Sequence, residues 1–242
     1  MGDHTYEGTL APEAALDRLG RIRLADHSMR SLLGEIAELA RLSLPGTLQT
    51  SVTLLTGDHP STVVVTGQLA RDLDESQYGR GHGPCLHAAA HDEPVEIADM
   101  RTDTRWPGFA ESAVARGCLS SLSLPLPVHE RVSGALNIYA RDPENFDEPA
   151  RQSAERFATY AAVVAGNMLV YESALERARN LEVALDSRAV IDQAKGVLME
   201  RFKLTADQAF QTLARASMET NTKVRDIAER FVETGDFQLP PT

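Results

Sequence analysis

Two short stretches hold residue types whose spacing could do chemistry. The first is SRAVIDQAKGVLMERF, residues 187–202, where a bulky cation and a helix-weakening glycine stand side by side as Lys195-Gly196. Lysine is otherwise found only at Lys203 and Lys223. On a wheel of 100° per residue, Val190, Ile191, Ala194, Val197, Leu198 and Phe202 fill one packing arc. Lys195 and Arg188 fall together beside that arc, and Gly196 leaves bare backbone next to them. A helical glycine costs about 1 kcal/mol relative to alanine. Close approach of something flat or charged, such as a nucleotide with its phosphate, is one use that offsets this. A solvated lysine beside a tolerated glycine is the plainer reading of the same spacing. Downstream, Arg215, Ser217, Asn221, Lys223 and Arg225 add groups that bond phosphates or base edges, and arginine also stacks on bases.

The second stretch is GRGHGPCLHAAAH, residues 79–91. His87 and His91 are four apart, so they share a helix face and could ligate a metal. No carboxylate or third ligand is placed by the sequence, and no metal is expected. Gly81, Gly83 and Pro84 read as turn residues. Cys85 pairs in chemistry, though not in sequence, with Cys118. Two thiols could serve a redox sensor, or a nucleophile with a resolving partner, but reactivity depends on surroundings that sequence does not display.

These residues need elements to hold them. HSMRSLLGEIAELARLSL carries Met29, Leu32, Leu33, Ile36, Leu39 and Ala40 at helical spacing. QTSVTLL and TVVVTGQL, joined by TGDHPS, read as an antiparallel hairpin. A polar helix, the short strand PVEIAD and a helix near 107–116 follow. CLSSLSLPLPV and RVSGALNIYA are two further strands, with a turn at HERVSG. A long helix starts near Phe146-Asp147. With no βαβ repeat, the order predicts an α+β domain: an antiparallel sheet covered by its first and last helices.

That last helix does not stop. Ala154, Phe157, Ala161, Val164, Met168, Tyr171, Leu175, Ala178, Glu182 and Leu185 keep a seven-residue register, nine of the ten being apolar. One face lying on the chain's own sheet is the plainer reading of this stripe; residues 171–186 have no sheet to cover, and for them a two-chain coiled coil is the better home. The sequence therefore predicts a homodimer joined along this helix. After Phe202, Thr205 and Gln208 have capping-box spacing. Ala209, Phe210, Leu213 and Ala214 supply an inner face. Asn221 or Thr222 is the next expected N-cap. Val224, Ile227, Ala228, Phe231 and Val232 form a third apolar face, and Gly235 ends it.

Composition narrows the class. The 242 residues are 43% hydrophobic and 24% charged, as in ordinary globular proteins. No apolar run approaches the roughly 20 residues that span a bilayer, and no signal peptide is visible, so a cytoplasmic, membrane-free protein is expected. Two cysteines make no disulfide framework. The net charge of −11 argues against nucleic-acid binding over the whole surface. Residues 1–170 hold 14 Arg/Lys against 23 Asp/Glu, whereas 187–230 hold 8 against 6. Any RNA-binding face is therefore local to that second segment.

Residues 184–232, through the string SR..I.QAKG.LM and then AF..L...S...N.K.RD.A, resemble the ANTAR domain of bacterial transcription antiterminators. The resemblance implies a three-helix RNA-binding module that recognises two adjacent hairpins in nascent transcripts and prevents a terminator from folding. By matching position it gives Arg188, Gln193, Lys195, Gly196, Arg215, Asn221, Lys223 and Arg225 RNA-facing roles. Upstream, GRGHGPCLHAA, EPVEIADM and SSLSLPLPVHERVSGALNIYA resemble, more loosely, a GAF sensory domain. That implies a small-ligand pocket between sheet and helical insert, lined from 79–118, with the ligand unidentified and no fixed cofactor. Free-methionine-sulfoxide reductases are catalytic GAF domains with cysteines in a comparable loop, but their usual position between Cys85 and Cys118 is empty here.

The expectation is thus a non-enzymatic, dimeric regulator. Its segments are 1–27 N-terminal, 28–165 GAF-like, 166–186 coiled-coil linker, 187–236 ANTAR and 237–242 tail. A DNA-binding helix-turn-helix factor and a thiol-based reductase or redox sensor are the alternatives.

Overall fold

The computed structural model describes residues 10–56, 59–129 and 132–237. The centres of the TGDHPS and HERVSG turns, the first nine residues and most of the tail lie outside the described residues. The chain divides into two compact units, Met1–Glu172 and Ser173–Thr242.

In the first unit, α1 (Pro12–Gly20) and α2 (Met29–Ser43) precede the sheet. Ser28 caps α2, its hydroxyl accepting from the Ser31 N–H at 3.3 Å. Five strands follow: β1 (Thr47–Thr56), β2 (His59–Val65), β3 (Val95–Ile97), β4 (Ser120–Pro125) and β5 (Val132–Ala140). They form one antiparallel sheet in the order β2-β1-β5-β4-β3. The insert between β2 and β4 contributes α3 (Gln68–Tyr78), α4 (Pro84–His91) and α5 (Pro107–Ala115). The expected strand TVVVTGQL is shorter than its sequence suggested, because Gln68 and Leu69 begin α3.

Period-two alternation gives the sheet two different faces. Val52, Leu122, Leu124, Leu136 and Ile138 point to the main core, with Leu32, Leu33 and Ile36 of α2. The last helix of this unit, α6, spans Glu148–Phe202 and adds Ala154, Phe157, Ala161 and Met168 to the same core. Ser51, Thr53, Ser121, Ser123, Asn137 and Tyr139 alternate with those residues, so they occupy the opposite face, yet they are buried. The helices of the insert cover that polar face.

The predicted seven-residue register of α6 is therefore spent internally in its first half. Val164 and Tyr171 also pack, partly buried, on the sheet core. Only later members such as Leu175 and Leu185 are exposed. A heptad stripe does not say what covers it, and here the chain's own sheet lies closest.

In the second unit, the end of α6, α7 (Ala206–Thr220) and α8 (Val224–Thr234) enclose a core of Ala194, Leu198, Ala209, Leu213, Ile227, Ala228 and Phe231. The capping box is present: the Thr205 N–H donates to Gln208 Oε1 at 2.9 Å, and the Gln208 N–H to Thr205 Oγ1 at 3.3 Å. Gly235 closes α8 with φ of 70°. Asn221 does not open α8. It closes α7 in the left-handed region, φ 49°, a role asparagine fills for the same reason glycine does. Lys223 is the N-cap of α8, without a side-chain cap.

Candidate nucleic-acid interface and sensory pocket

The surface of the second unit follows from which helix faces its core uses. Because Ala194 and Leu198 point inward, Lys195 sits at the edge of the packing arc, half-buried, and Arg188 stands exposed one heptad earlier. Asp192 lies between them. Lys195 Nζ donates to Asp192 Oδ1 at 2.9 Å, and Arg188 Nε is 3.7 Å from Oδ2. The Lys195 hydrogen bond, more than any other influence, holds the Asp192 carboxyl below its ordinary range. An approaching phosphate would thus compete with this carboxylate for both cations. Gln193 and Gly196 are exposed on the same helix. A Cβ built on Gly196 meets no atom within 4 Å, so nothing inside the protein demands glycine there.

The other sequence-derived candidates are arranged less tightly. Asn221 and Lys223 are exposed at the α7–α8 junction, with Arg225 half-buried on the first turn of α8. The junction is braced by Ser217, whose hydroxyl donates to the Thr222 carbonyl at 2.6 Å. Arg215 is exposed about 200° from Leu213 on the α7 wheel, away from the core. Among the described residues no hydrogen bond or ion pair joins Arg215, the junction and the α6 group to one another.

Val197 and Val232, which the sequence reading places on packing faces, are 43% and 38% exposed. Phe210, assigned there to the inner face, is 46% exposed, and Met218 is 77% exposed. The α7 core is set by Ala209, Leu213 and the partly buried Ala216, spaced four and three apart. That spacing puts Phe210 off the core face, and its size alone made it look like core.

The polar face of the sheet in the first unit builds a second candidate site. Asp74 of α3 is fully buried. Its Oδ1 accepts from Tyr139 Oη at 2.7 Å and Ser51 Oγ at 3.1 Å, and its Oδ2 from Thr62 Oγ1 at 2.9 Å. Burial pushes its pKa up to about 6; the Tyr139, Ser51 and Thr62 hydrogen bonds pull the other way. Tyr78 Oη lies 2.7 Å from both Thr53 Oγ1 and Thr62 Oγ1, which connects Tyr78 to Asp74 through Thr62. Tyr78 also lines a cavity of about 430 Å³ with His82, Leu86, His87, His91 and Trp106. His87 and His91 stack at 4.1 Å between ring centroids, and His91 Nδ1 lies 3.0 Å from the His87 carbonyl oxygen. Among the described residues no cluster of three metal-ligating side chains occurs.

Both thiols are buried. Cys85 receives the Asn137 amide at 3.2 Å on Sγ, and its N–H donates to Gln77 Oε1 at 2.8 Å. Cys118 belongs to a separate apolar cluster with Phe109 and Ala113. Burial, foremost, pushes each thiol up to about 12. Among the described residues Gln77 Nε2, Asn137 Oδ1 and Ser121 Oγ have no hydrogen-bond partner.

The GAF domain model matches residues 26–164, more than half of the chain. The chain belongs to the GAF family. The ANTAR domain model matches residues 179–232, so a GAF domain is followed by an ANTAR domain. No relative among curated proteins matches this chain. Solved structures show the same GAF fold. The reduced form of fRMsr of Staphylococcus aureus is 16% identical, with a TM-score of 0.50 over 68% of this chain and 99% of that one. A phycoerythrobilin-bound GAF domain from a cyanobacterial phytochrome is 14% identical, with a TM-score of 0.51 over 67% and 97%. At such identities the likeness is one of fold alone.

Proposed function

We propose that this GAF–ANTAR protein is an RNA-binding regulator of transcription antitermination. Its ANTAR domain binds paired hairpins in nascent mRNA, and a signal received by its GAF domain controls that binding. The observation that carries the reading is Gly196, exposed with open space where a side chain would stand, beside Lys195. An exposed helical glycine costs the fold about 1 kcal/mol relative to alanine, and close approach of a ligand to the bare backbone is one use that offsets it. Arg188, Lys195, Lys223 and Arg225 supply phosphate contacts, while Gln193, Asn221 and Arg215 supply polar contacts to loop bases. Phe210 offers a ring on which an unpaired base stacks.

The GAF domain acts as a sensor, with the cavity beside Tyr78 receiving a small molecule. Its thiols suit a reductase poorly, since buried, high-pKa cysteines are weak nucleophiles. The protein works as a homodimer joined through α6, matching two modules to two hairpins. Ligand-driven change in that pairing is the route by which the signal reaches the ANTAR domain. A cytoplasmic location fits this role; among the described residues no helix is long and apolar enough to cross a membrane.

A gel-shift titration over several salt concentrations tests the reading, with tandem-hairpin RNA against duplex DNA of matched length. Retention of the RNA alone is expected. Preferential binding of duplex DNA with palindromic half-sites would instead mark a helix-turn-helix factor.

A further inference from the structure

The first turn of any helix holds N–H groups with no partner inside the helix. In α4, Pro84 has no such group, and the Cys85 N–H donates to Gln77 Oε1 at 2.8 Å. Among the described residues the Leu86 N–H makes no hydrogen bond. A second free donor stands nearby. Gln77 is fully buried, and the bond from Cys85 identifies its oxygen, so Nε2 is the donor end; it has no partner among the described residues. The Gln77 carboxamide packs against Gly83, the N-cap of α4, where an added Cβ would collide with it. Gly83 and Leu86 both line the 430 Å³ cavity beside Tyr78. Two unfilled donors therefore meet where the start of α4 borders that cavity, and the helix dipole adds partial positive charge there.

The remaining walls suit a flat apolar body. Leu55, Leu86 and Ala90 line them with the Trp106 ring, which His87 meets edge-on at 5.9 Å and 62°. Arg105 lies over the same indole, its Cζ 4.8 Å from the ring centroid. Among the described residues no carboxylate lines the cavity. The Asp74 oxygens are taken by Tyr139, Ser51 and Thr62, and Glu93 borders a neighbouring groove, exposed to solvent. The volume falls at the small end of the roughly 300–1,000 Å³ range of ligand pockets.

We propose that this cavity takes a small aromatic carboxylic acid as its anion. The carboxylate accepts from the Leu86 N–H and Gln77 Nε2 at the start of α4, and the ring packs on Trp106. This rests on the sensor reading above and names the chemistry of its ligand. Two donors match the two oxygens of a carboxylate, whereas a phosphate would leave acceptors unmet. An ammonium or amidinium would face donors and the positive end of a helix. A buried donor left unmade destabilises the fold, so an acceptor at this position offsets a cost the empty cavity carries.

Trp106 is the only tryptophan, so its fluorescence reports on the cavity in the full-length protein. Titrations use sodium benzoate, neutral benzamide and cationic benzamidine at constant ionic strength. Benzoate is expected to give a saturable change, with a dissociation constant at least about tenfold below that of benzamide, and benzamidine none. In nitrogen-15 spectra benzoate is expected to move the signals of the Leu86 amide and the Gln77 side chain. Gln77→Glu keeps an acceptor for the Cys85 N–H but replaces the free donor with an acceptor, and it should weaken benzoate at least about tenfold. Benzamide or benzamidine binding as tightly as benzoate overturns the acid while leaving a ligand-binding cavity. No change with any of the three overturns the acid and counts against the sensor cavity too. Leu86 and Gln77 signals that stay in place, or a folded Gln77→Glu chain with unchanged affinity, overturn the placement at α4. The wild-type comparisons decide the question even where a melting curve shows that variant to be unfolded.

Discussion

Replacing Gly196 by alanine separates folding from binding. The position is inside α6, exposed, and open around the site of the new methyl. Folding should therefore gain the full difference in helix propensity, about 1 kcal/mol. For a unit the size of Ser173–Thr242, that corresponds to a rise in melting temperature of about 4–8 °C. If RNA backbone or base lies against the bare helix, the methyl overpacks the contact, a cost of about 1–3 kcal/mol. The dissociation constant would then rise roughly 5- to 150-fold. The assay is paired: thermal melting followed by circular dichroism, and fluorescence-anisotropy titration of tandem-hairpin RNA. A stabilised variant that binds with unchanged affinity refutes the argument that this glycine serves contact. A destabilised variant refutes the open geometry on which the argument stands.

Other expectations follow from the same geometry. Lys195→Ala should weaken hairpin binding and lower the slope of log affinity against log salt by about 1, as loss of one phosphate contact does; an unchanged slope removes Lys195 from the interface. Asp74 has a raised folded-state pKa, so its protonated form favours the fold at low pH and that stability is lost as pH rises from about 4 through about 6. Denaturant titrations should show wild type losing about 3 kcal/mol relative to Asp74→Asn across that window, and a pH-independent difference contradicts the buried carboxyl. Thr205→Ala should cost about 1 kcal/mol through loss of the α7 cap, without altering RNA affinity in the folded protein. Cys85 and Cys118 should react with a thiol reagent only as the protein unfolds, whereas rapid labelling of the native state contradicts their burial.

Features that depend on neighbours in sequence were readable from it. The Thr205–Gln208 capping box, the end of α8 at Gly235 and the amphipathic face of α2 are local, and the structure shows each. Asn221 was ambiguous because asparagine suits both a helix start and a left-handed helix end; only the bond of its own N–H to the Ser217 carbonyl decides for the end of α7. The α6 register was readable as a period but not as a partner. Helical spacing shows that Phe157 and Met168 need cover, and cannot say that the cover is the sheet. The network around Asp74 was invisible, since Ser51, Thr62, Asn137 and Tyr139 reach it from up to 65 positions away and are ordinary residues singly. One trace of it was present. The alternation SSLSL in β4 puts small polar groups on one whole face of a buried strand, which signals a polar interior opposite an apolar one.

The most direct measurement is ultraviolet crosslinking of the full-length protein to cellular RNA, with sequencing of the captured fragments and mass-spectrometric mapping of the crosslinked peptides. The account predicts fragments that each hold two adjacent hairpins, joined to peptides within 188–225. Crosslinks confined to the GAF domain, or captured RNA with no such hairpins, would contradict it.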